Sequence, residues 1–312
     1  MSRVQDLLKQ AEQERANRNL PEAVPAVTES HEPAAAPISD LPSASAKGTP
    51  VPTDAKDCVN PSEVRDALAR SCAETAWSPD PAAIVLSHNG TWCAPGREEF
   101  RTLRSRLNLV RKTQHLQKLL VTSALPEEGK TFVAANLAQV MLWQREHHVL
   151  LIDGDLRASN LHICLGAPEL PGLSEYLSHE ADELAIIKRG RGPLNNLFFI
   201  PGGTPAPNAS ELLGNGRLKA LLDRLAPAFD WIIIDSPPVI PISDARLLAE
   251  LCDGVLMVVR AGSTPFDLAQ RAYKEFRDNR FLAVVLNHAE KGSTYGYDHY
   301  YSYYEKRRTR QP

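Results

Sequence analysis

Short, uninterrupted apolar runs recur between residues 118 and 286, and segments with helical periodicity lie between them. The runs predict strands over 118–122, 149–153, 197–201, 231–235, 254–259 and 283–286. A charged helix is expected over 97–109, and further helices over 130–146, 217–225, 244–251 and 265–276. Continuous apolar strands alternating with helices indicate an α/β fold, a mainly parallel sheet with helices on both faces. Such sheets bind ligands at the carboxyl ends of their strands.

Before residue 97 the pattern is weaker. Val4, Leu7, Leu8 and Ala11 fall at helical spacing, so 1–18 reads as a short amphipathic helix. The stretch from Pro21 to Asp57 is rich in Ala, Pro, Ser and Thr and has too few large apolar residues to offset its ordering entropy, so a disordered linker is expected. Asn60, Pro61 and Glu63 form a helix-start signature, and Val64, Leu68 and Cys72 give that helix one apolar face. Residues 83–86 are read as a strand and Asn89-Gly90 as a turn. The organisation expected is 1–57, helix plus linker; 58–96, a helical lead-in; 97–290, the main domain; and 291–312, a polar tail.

Composition narrows the classes without choosing among them. The 312 residues are 43% hydrophobic and 23% charged, a globular mixture, and a formal net charge of -3 gives no hint of nucleic-acid binding. Five cysteines are scattered without CxxC spacing, which argues against a zinc site or a disulfide framework and suits a reducing cytosol. The N-terminus is charged throughout, unlike a signal peptide, and no stretch approaches the roughly 18 apolar residues of a membrane span.

The chemistry is concentrated at the predicted strand ends. The segment 122–131, TSALPEEGKT, joins a strand to a helix, the setting of a phosphate loop. Amides at a helix N-terminus bind phosphate oxygens, and Gly129 allows close approach. Lys130 would reach the β- and γ-phosphates, and the Thr131 hydroxyl would ligate Mg²⁺. Ala124 stands where the general GxxxxGK[ST] pattern has glycine. Asp153 and Asp155 lie in VLLIDGDLR and Asp235 in WIIIDSPP. Carboxylates at one sheet edge can hold Mg²⁺, directly or through its waters, and one can accept a proton from an attacking hydroxyl. Each alone could be a helix cap or a turn residue. Arg157 is read two ways, as a stabiliser of phosphate charge or as a structural partner of Asp153.

Together these motifs resemble those of the bacterial tyrosine kinases of polysaccharide synthesis, within the MinD/ParA-like branch of P-loop ATPases. TSALPEEGKT is similar to that family's Walker A, LLIDGDLR to its Walker A′ and IIIDSPP to its Walker B. The segment GGTPAPNASELL (202–213) and the tyrosine-rich tail also resemble family features, so the likeness covers about 97–304. It implies a P-loop NTPase fold, ATP and Mg²⁺ as cofactors, and nucleotide contacts from Pro126, Glu127, Glu128, Gly129, Lys130, Thr131 and Phe132. It implies catalytic roles for Lys130, Asp153, Asp155 and Arg157, with Asp155 as the base, and a metal set of Thr131, Asp153, Asp155 and Asp235. Glu98, Arg101 and Arg104 match an ExxRxxR helix that would pack against a neighbouring subunit in a ring. From the residues alone, charges at that spacing default to a solvated face. One departure stands out: Glu127 replaces a frequent family glycine, and would strain the loop if the position needs positive φ.

The tail holds six of the eight tyrosines: Tyr295, Tyr297, Tyr300, Tyr301, Tyr303 and Tyr304. Alone, such a cluster could be a nucleic-acid stacking surface or a low-complexity tail. The resemblance makes these residues phosphoacceptors of an autokinase that regulates exopolysaccharide or capsule polymerisation and export. It implies further partners: a membrane co-polymerase activator whose cytoplasmic tail completes the site, other copies of the chain, and a cognate tyrosine phosphatase, with no nucleic acid. The protein would be cytoplasmic, held at the inner membrane through its activator. An ATPase switch that transfers phosphate only to water, or a nucleotide-binding scaffold, are the competing readings.

Overall fold

The computed structural model describes residues 96–289 except 144–146 and 277–280, together with Arg65, Leu68, Arg70, 72–75 and 77–79. The expectations for 1–57, the helix start at Asn60, the strand at 83–86, the Asn89-Gly90 turn and the tyrosine tail lie outside these residues. Eight strands form one sheet: β1 (Ala73–Glu74), β2 (Lys118–Ser123), β3 (Val149–Asp153), β4 (Lys188–Arg189), β5 (Leu197–Ile200), β6 (Trp231–Asp235), β7 (Gly254–Arg260) and β8 (Phe281–Asn287). Their spatial order is β1-β4-β5-β3-β6-β2-β7-β8. The five-strand block from β3 to β8 and the β5–β3 pair are parallel; β4 runs antiparallel to β5. The mainly parallel α/β sheet is therefore as expected. The two-residue strands β1 and β4 were not legible, being too short to show any period.

The apolar runs are strands because both of their faces are covered. Leu119, Val121, Leu151, Ile233, Leu256 and Val258 point to one layer; Leu120, Leu150, Ile152, Ile232, Ile234 and Met257 point to the other. Nearly all are fully buried, each contributing about 1.5–3 kcal/mol relative to exposure. The first layer holds α1 (Arg97–Arg111) and α2 (Lys130–Met141). α2 is buried from Val133 to Met141 between the sheet and α1, and Ala134, Ala135 and Ala138 keep it close to both. On the opposite layer lie α6 (Ala209–Gly214), α7 (Arg217–Leu225), α8 (Asp244–Glu250) and α9 (Phe266–Glu275), with Leu218, Leu221, Leu222, Leu248 and Ala272 turned inward. Short helices α3 (Leu161–Leu165), α4 (Leu173–Leu177) and α5 (Glu183–Ile186) fill the long connection after β3. The lead-in contributes too: Leu68 and Cys72 are buried in the core, as their predicted apolar face requires.

α2 stops at Met141, short of the expected 146. Arg104 of α1 explains part of this. Its Nη1 donates to the Val140 carbonyl at 2.8 Å, satisfying a C-terminal acceptor that a longer helix would use itself. Burial and neighbouring Arg101 hold this guanidinium below its ordinary pKa.

Candidate active site at the carboxyl edge of the sheet

β2 and α2 are joined by the phosphate loop, and β3 and β6 deliver their aspartates beside it. Asp153 and Asp235 are register partners, and Val121 of β2 pairs with Asp235 on its other side. The strand order β3-β6-β2 thus places the three chemical segments next to one another. Lys130 Nζ stands 3.6 Å from Asp155 Oδ2, and Thr131 Oγ1 donates to Asp235 Oδ2 at 2.6 Å. Lysine, threonine and two aspartates from separate segments thus meet in one place.

The aspartates are not equivalent. Asp153 is fully buried and fully used: its carboxylate accepts the Asp155 amide (3.1 Å), the Ser159 hydroxyl (2.7 Å) and the Leu161 amide (3.0 Å). Burial raises its pKa, and the Ser159 and Leu161 hydrogen bonds oppose the rise. Asp235 is equally buried, but its Oδ1 has no hydrogen-bond partner. Burial pushes this carboxyl up to about 7; Lys130 opposes the shift and Asp153 adds to it. Asp155 accepts the Ala158 amide at 3.1 Å through Oδ1 and turns Oδ2 toward Lys130. Among the described residues no group of three or more His, Cys, Asp or Glu side chains gathers into a direct metal-ligand set.

Arg157 does not pair with Asp153, which corrects one of its two readings. Its Nε donates to Asp244 Oδ2 at 2.8 Å, while its terminal nitrogens reach the Ser210 hydroxyl and the Pro207 carbonyl, each at 3.0 Å. Asp153 is sealed by Ser159 and two amides, whereas Asp244, buried at the start of α8, needs a cation. Arg157 therefore ties the turn after β3 to the 202–213 segment, and the Ala206 amide adds a 2.8 Å bond to Leu156 O. Gly202 lies close under the same turn, where a Cβ would stand 2.8 Å from Ser159.

The loop adopts the conformation that the Glu127 substitution makes costly. Glu127 has φ 62°, in the left-handed region. Glu128 is buried and bonded at both carboxylate oxygens, Oε2 accepting the Leu125 amide at 2.7 Å and Oε1 the Thr264 hydroxyl. Ser123 Oγ donates to Leu125 O at 2.7 Å and closes the loop's other end. Gly129 has φ 90°, with Asn287 so near that a Cβ would meet its amide nitrogen. Sequence reading missed Ser159, Asp244, Thr264 and Asn287. Only Asn287, at the carboxyl end of a strand on the ligand-binding edge, carried a positional signal.

On α1, Glu98 and Arg101 form an exposed i,i+3 ion pair at 2.9 Å, and Arg101 also lies over the Trp143 ring. Arg104 is occupied within its own chain by Val140. The three residues of the ExxRxxR match thus share a helix without sharing one environment.

No protein-family model matches the chain. The chain is 30% identical over 204 residues to the tyrosine-protein kinase YwqD of Bacillus subtilis, an alignment covering 64% of this chain and 85% of YwqD. It is 33% identical over 210 residues to the tyrosine-protein kinase wzc of Salmonella typhimurium, covering 67% of this chain but only 28% of that longer protein. Among solved structures, the kinase domain of the Escherichia coli tyrosine kinase ETK superposes with a TM-score of 0.57 at 30% identity, covering 64% of this chain and 80% of that one. With a phosphate loop, two strand-end aspartates and a P-loop NTPase sheet in the arrangement described, the chain belongs to the bacterial tyrosine-protein kinases.

Proposed function

We propose that this kinase is an ATP-dependent autokinase that passes γ-phosphate to tyrosines of its own C-terminal tail. The reading rests above all on the convergence of Lys130, Asp155, Thr131 and Asp235, with one buried Asp235 oxygen left without a partner. An orphaned buried carboxylate oxygen needs a ligand, and Mg²⁺ or its water shell fits that need. Thr131 would hold the metal directly and Asp235 through its waters; Asp153 would act from behind by fixing the turn that carries Asp155. When bound, Mg²⁺ neutralises charge on the transferring phosphate. The amides from Glu127 to Phe132 would face the phosphates, with Pro126 shaping the loop ahead of them, and Lys130 neutralises the phosphates further. Asp155 accepts the proton of the incoming tyrosine hydroxyl as the tyrosine oxygen bonds to phosphorus and the bond to the leaving diphosphate breaks. Arg157, held by Asp244, positions this turn from outside the phosphate site.

The relatives' names support tyrosine as acceptor, and the six tail tyrosines supply it. We assign them as phosphoacceptors, and the regulation of exopolysaccharide polymerisation and export as the outcome. A membrane co-polymerase with a cytoplasmic tail would activate the kinase and hold it at the inner membrane. Glu98, Arg101 and Arg104 would bring neighbouring copies together in a ring, and a cognate phosphatase would reset the tail. No helix among the described residues is long and apolar enough to cross a membrane.

Incubation with γ-labelled ATP and Mg²⁺ tests the reading. Label is expected on tail tyrosines, and Lys130→Met is expected to lower it at least a hundredfold, as removal of one preorganised charge in an active site does. Release of free phosphate alone would favour a hydrolytic switch; neither product would leave a nucleotide-binding scaffold.

A further inference from the structure

Glu127 sits in the left-handed region without glycine's freedom, and such a residue persists only where its surroundings over-determine it. The surroundings here converge on its neighbour. Glu128 Oε2 accepts the Leu125 amide and so closes the backbone over Pro126 and Glu127. Its Oε1 accepts the hydroxyl of Thr264, a residue of the turn after β7, and its carbonyl accepts Asn287 Nδ2 at 3.0 Å from the end of β8. Thr264 is itself oriented: its oxygen accepts the Arg260 amide at 3.1 Å, which leaves its proton for Glu128. The turn that carries Thr264 is tied to Asn287, since the Ala261 amide donates to Asn287 O at 2.8 Å. None of these groups belongs to the aspartate side of the site; they come from β7 and β8, on the far side of β2.

We infer that Thr264 and Asn287 are positioning residues for the phosphate loop, gripping Glu128 so that Glu127 is held left-handed and the loop amides stay aligned for phosphate. The inference rests on the nucleotide-binding reading above. Without the grip, Glu127 relaxes toward ordinary backbone angles, and binding must then restore the loop at a cost in affinity. If strain at Glu127 is what the grip opposes, glycine at that position should make the grip nearly dispensable.

Calorimetric titration of the full chain with MgATP tests this through a double-mutant cycle. Thr264→Ala is expected to weaken binding about tenfold, within the range one residue in a sparsely populated backbone region can account for. In the presence of Glu127→Gly the same change should weaken it no more than about twofold, and Thr264→Ser should restore wild-type affinity. If Thr264→Ala does not fold, Thr264→Val keeps the bulk, removes only the hydroxyl and carries the same cycle. Equal losses with and without Glu127→Gly, or no loss at all, would overturn the clamp while leaving the nucleotide reading intact. A wild-type chain that fails to bind MgATP would overturn both.

Discussion

Asp153 and Asp235 are neighbours in register, end adjacent strands on the same sheet edge and are equally buried, yet they occupy opposite situations. Asp153 has three donors from its own turn. Asp235 shares one oxygen with Thr131 and leaves the other bare. A buried carboxylate with its partners in place is part of the fold, whereas one lacking them is held at a cost that a ligand can relieve. By this criterion Asp153 builds the site and Asp235 serves it. The difference arises in the segment that leaves each strand. After β3 the chain turns back at once, bringing Ser159 and Leu161 to the carboxylate. After β6 comes Ser236-Pro237-Pro238, whose Ser236 amide donates to Val121 O and whose hydroxyl lies on the Val121 and Pro237 carbonyls, away from Asp235.

The largest effect expected from this contrast is functional. Asp235→Asn should reduce tyrosine labelling at least a hundredfold and remove the Mg²⁺ dependence of nucleotide affinity. Its effect on stability should have the other sign. The folded-state pKa of about 7 lies above the ordinary value of 3.8, so ionisation disfavours the fold and stability falls as pH rises between those values. At pH 8, without metal, Asp235→Asn should therefore leave the fold as stable as wild type or stabilise it by ~1–3 kcal/mol in urea denaturation. A variant that labels normally, or is markedly destabilised, would erase the distinction.

Asp153→Ala should show the converse pattern. It strips acceptors from the Ser159 hydroxyl and the Asp155 and Leu161 amides, and leaving buried donors unmade costs about 1–3 kcal/mol each, with incomplete additivity. A net loss of about 3 kcal/mol in urea denaturation is expected, nucleotide or not. Asp153→Asn, which keeps one acceptor oxygen, should lose about half as much. If Asp153→Ala unfolds at the wild-type midpoint, its three hydrogen bonds do not hold the turn.

The sheet edge was legible because its signals are local. An apolar run that ends in Asp, or leads into a Gly-Lys-Thr, announces both a strand and what its end carries, and β2, β3 and β6 appear within about a residue of where their runs predict. The family likeness ranked Asp155 as the base, but no apolar-run signal separates Asp153 from Asp235: the Asp153 partners are set by how the turn after β3 folds back, and the one Asp235 partner, Thr131, lies 104 positions away. The same reason hides Asp244, which lies 87 positions from Arg157, and Thr264 and Asn287, which meet Glu128 across 136 and 159 positions. The strain at Glu127 was legible as a condition, since one substituted glycine sufficed to pose it; what holds that strain was not. Arg104 shows the same limit from the other direction. Its place in a charged helical stripe suggested a solvated or intersubunit face, while its guanidinium caps the phosphate-loop helix of its own chain.

A third carboxylate places the contrast on a pH axis, with the smallest effect. Glu175 of α4 accepts the Gly172 amide at 2.7 Å and the Thr204 amide at 3.0 Å, joining the first turn of α4 to the segment after β5. Partial burial would raise its pKa, but the Thr204 and Gly172 hydrogen bonds outweigh burial and hold it below 4.5. A carboxyl depressed in the folded state stabilises fully above its unfolded value and loses that contribution as pH falls through the folded one. Its slope is therefore opposite to that of the orphaned Asp235. The stability difference between wild type and Glu175→Gln should be largest near pH 6 and shrink toward pH 3, by less than about 1 kcal/mol because solvent screens this partly exposed group. The difference between wild type and Asp235→Asn should run the other way over the acid range, with wild type gaining on the variant as pH falls from 7 toward 4. Slopes of the same sign for Glu175 and Asp235 would mean that the Thr204 and Gly172 hydrogen bonds do not outweigh burial at Glu175.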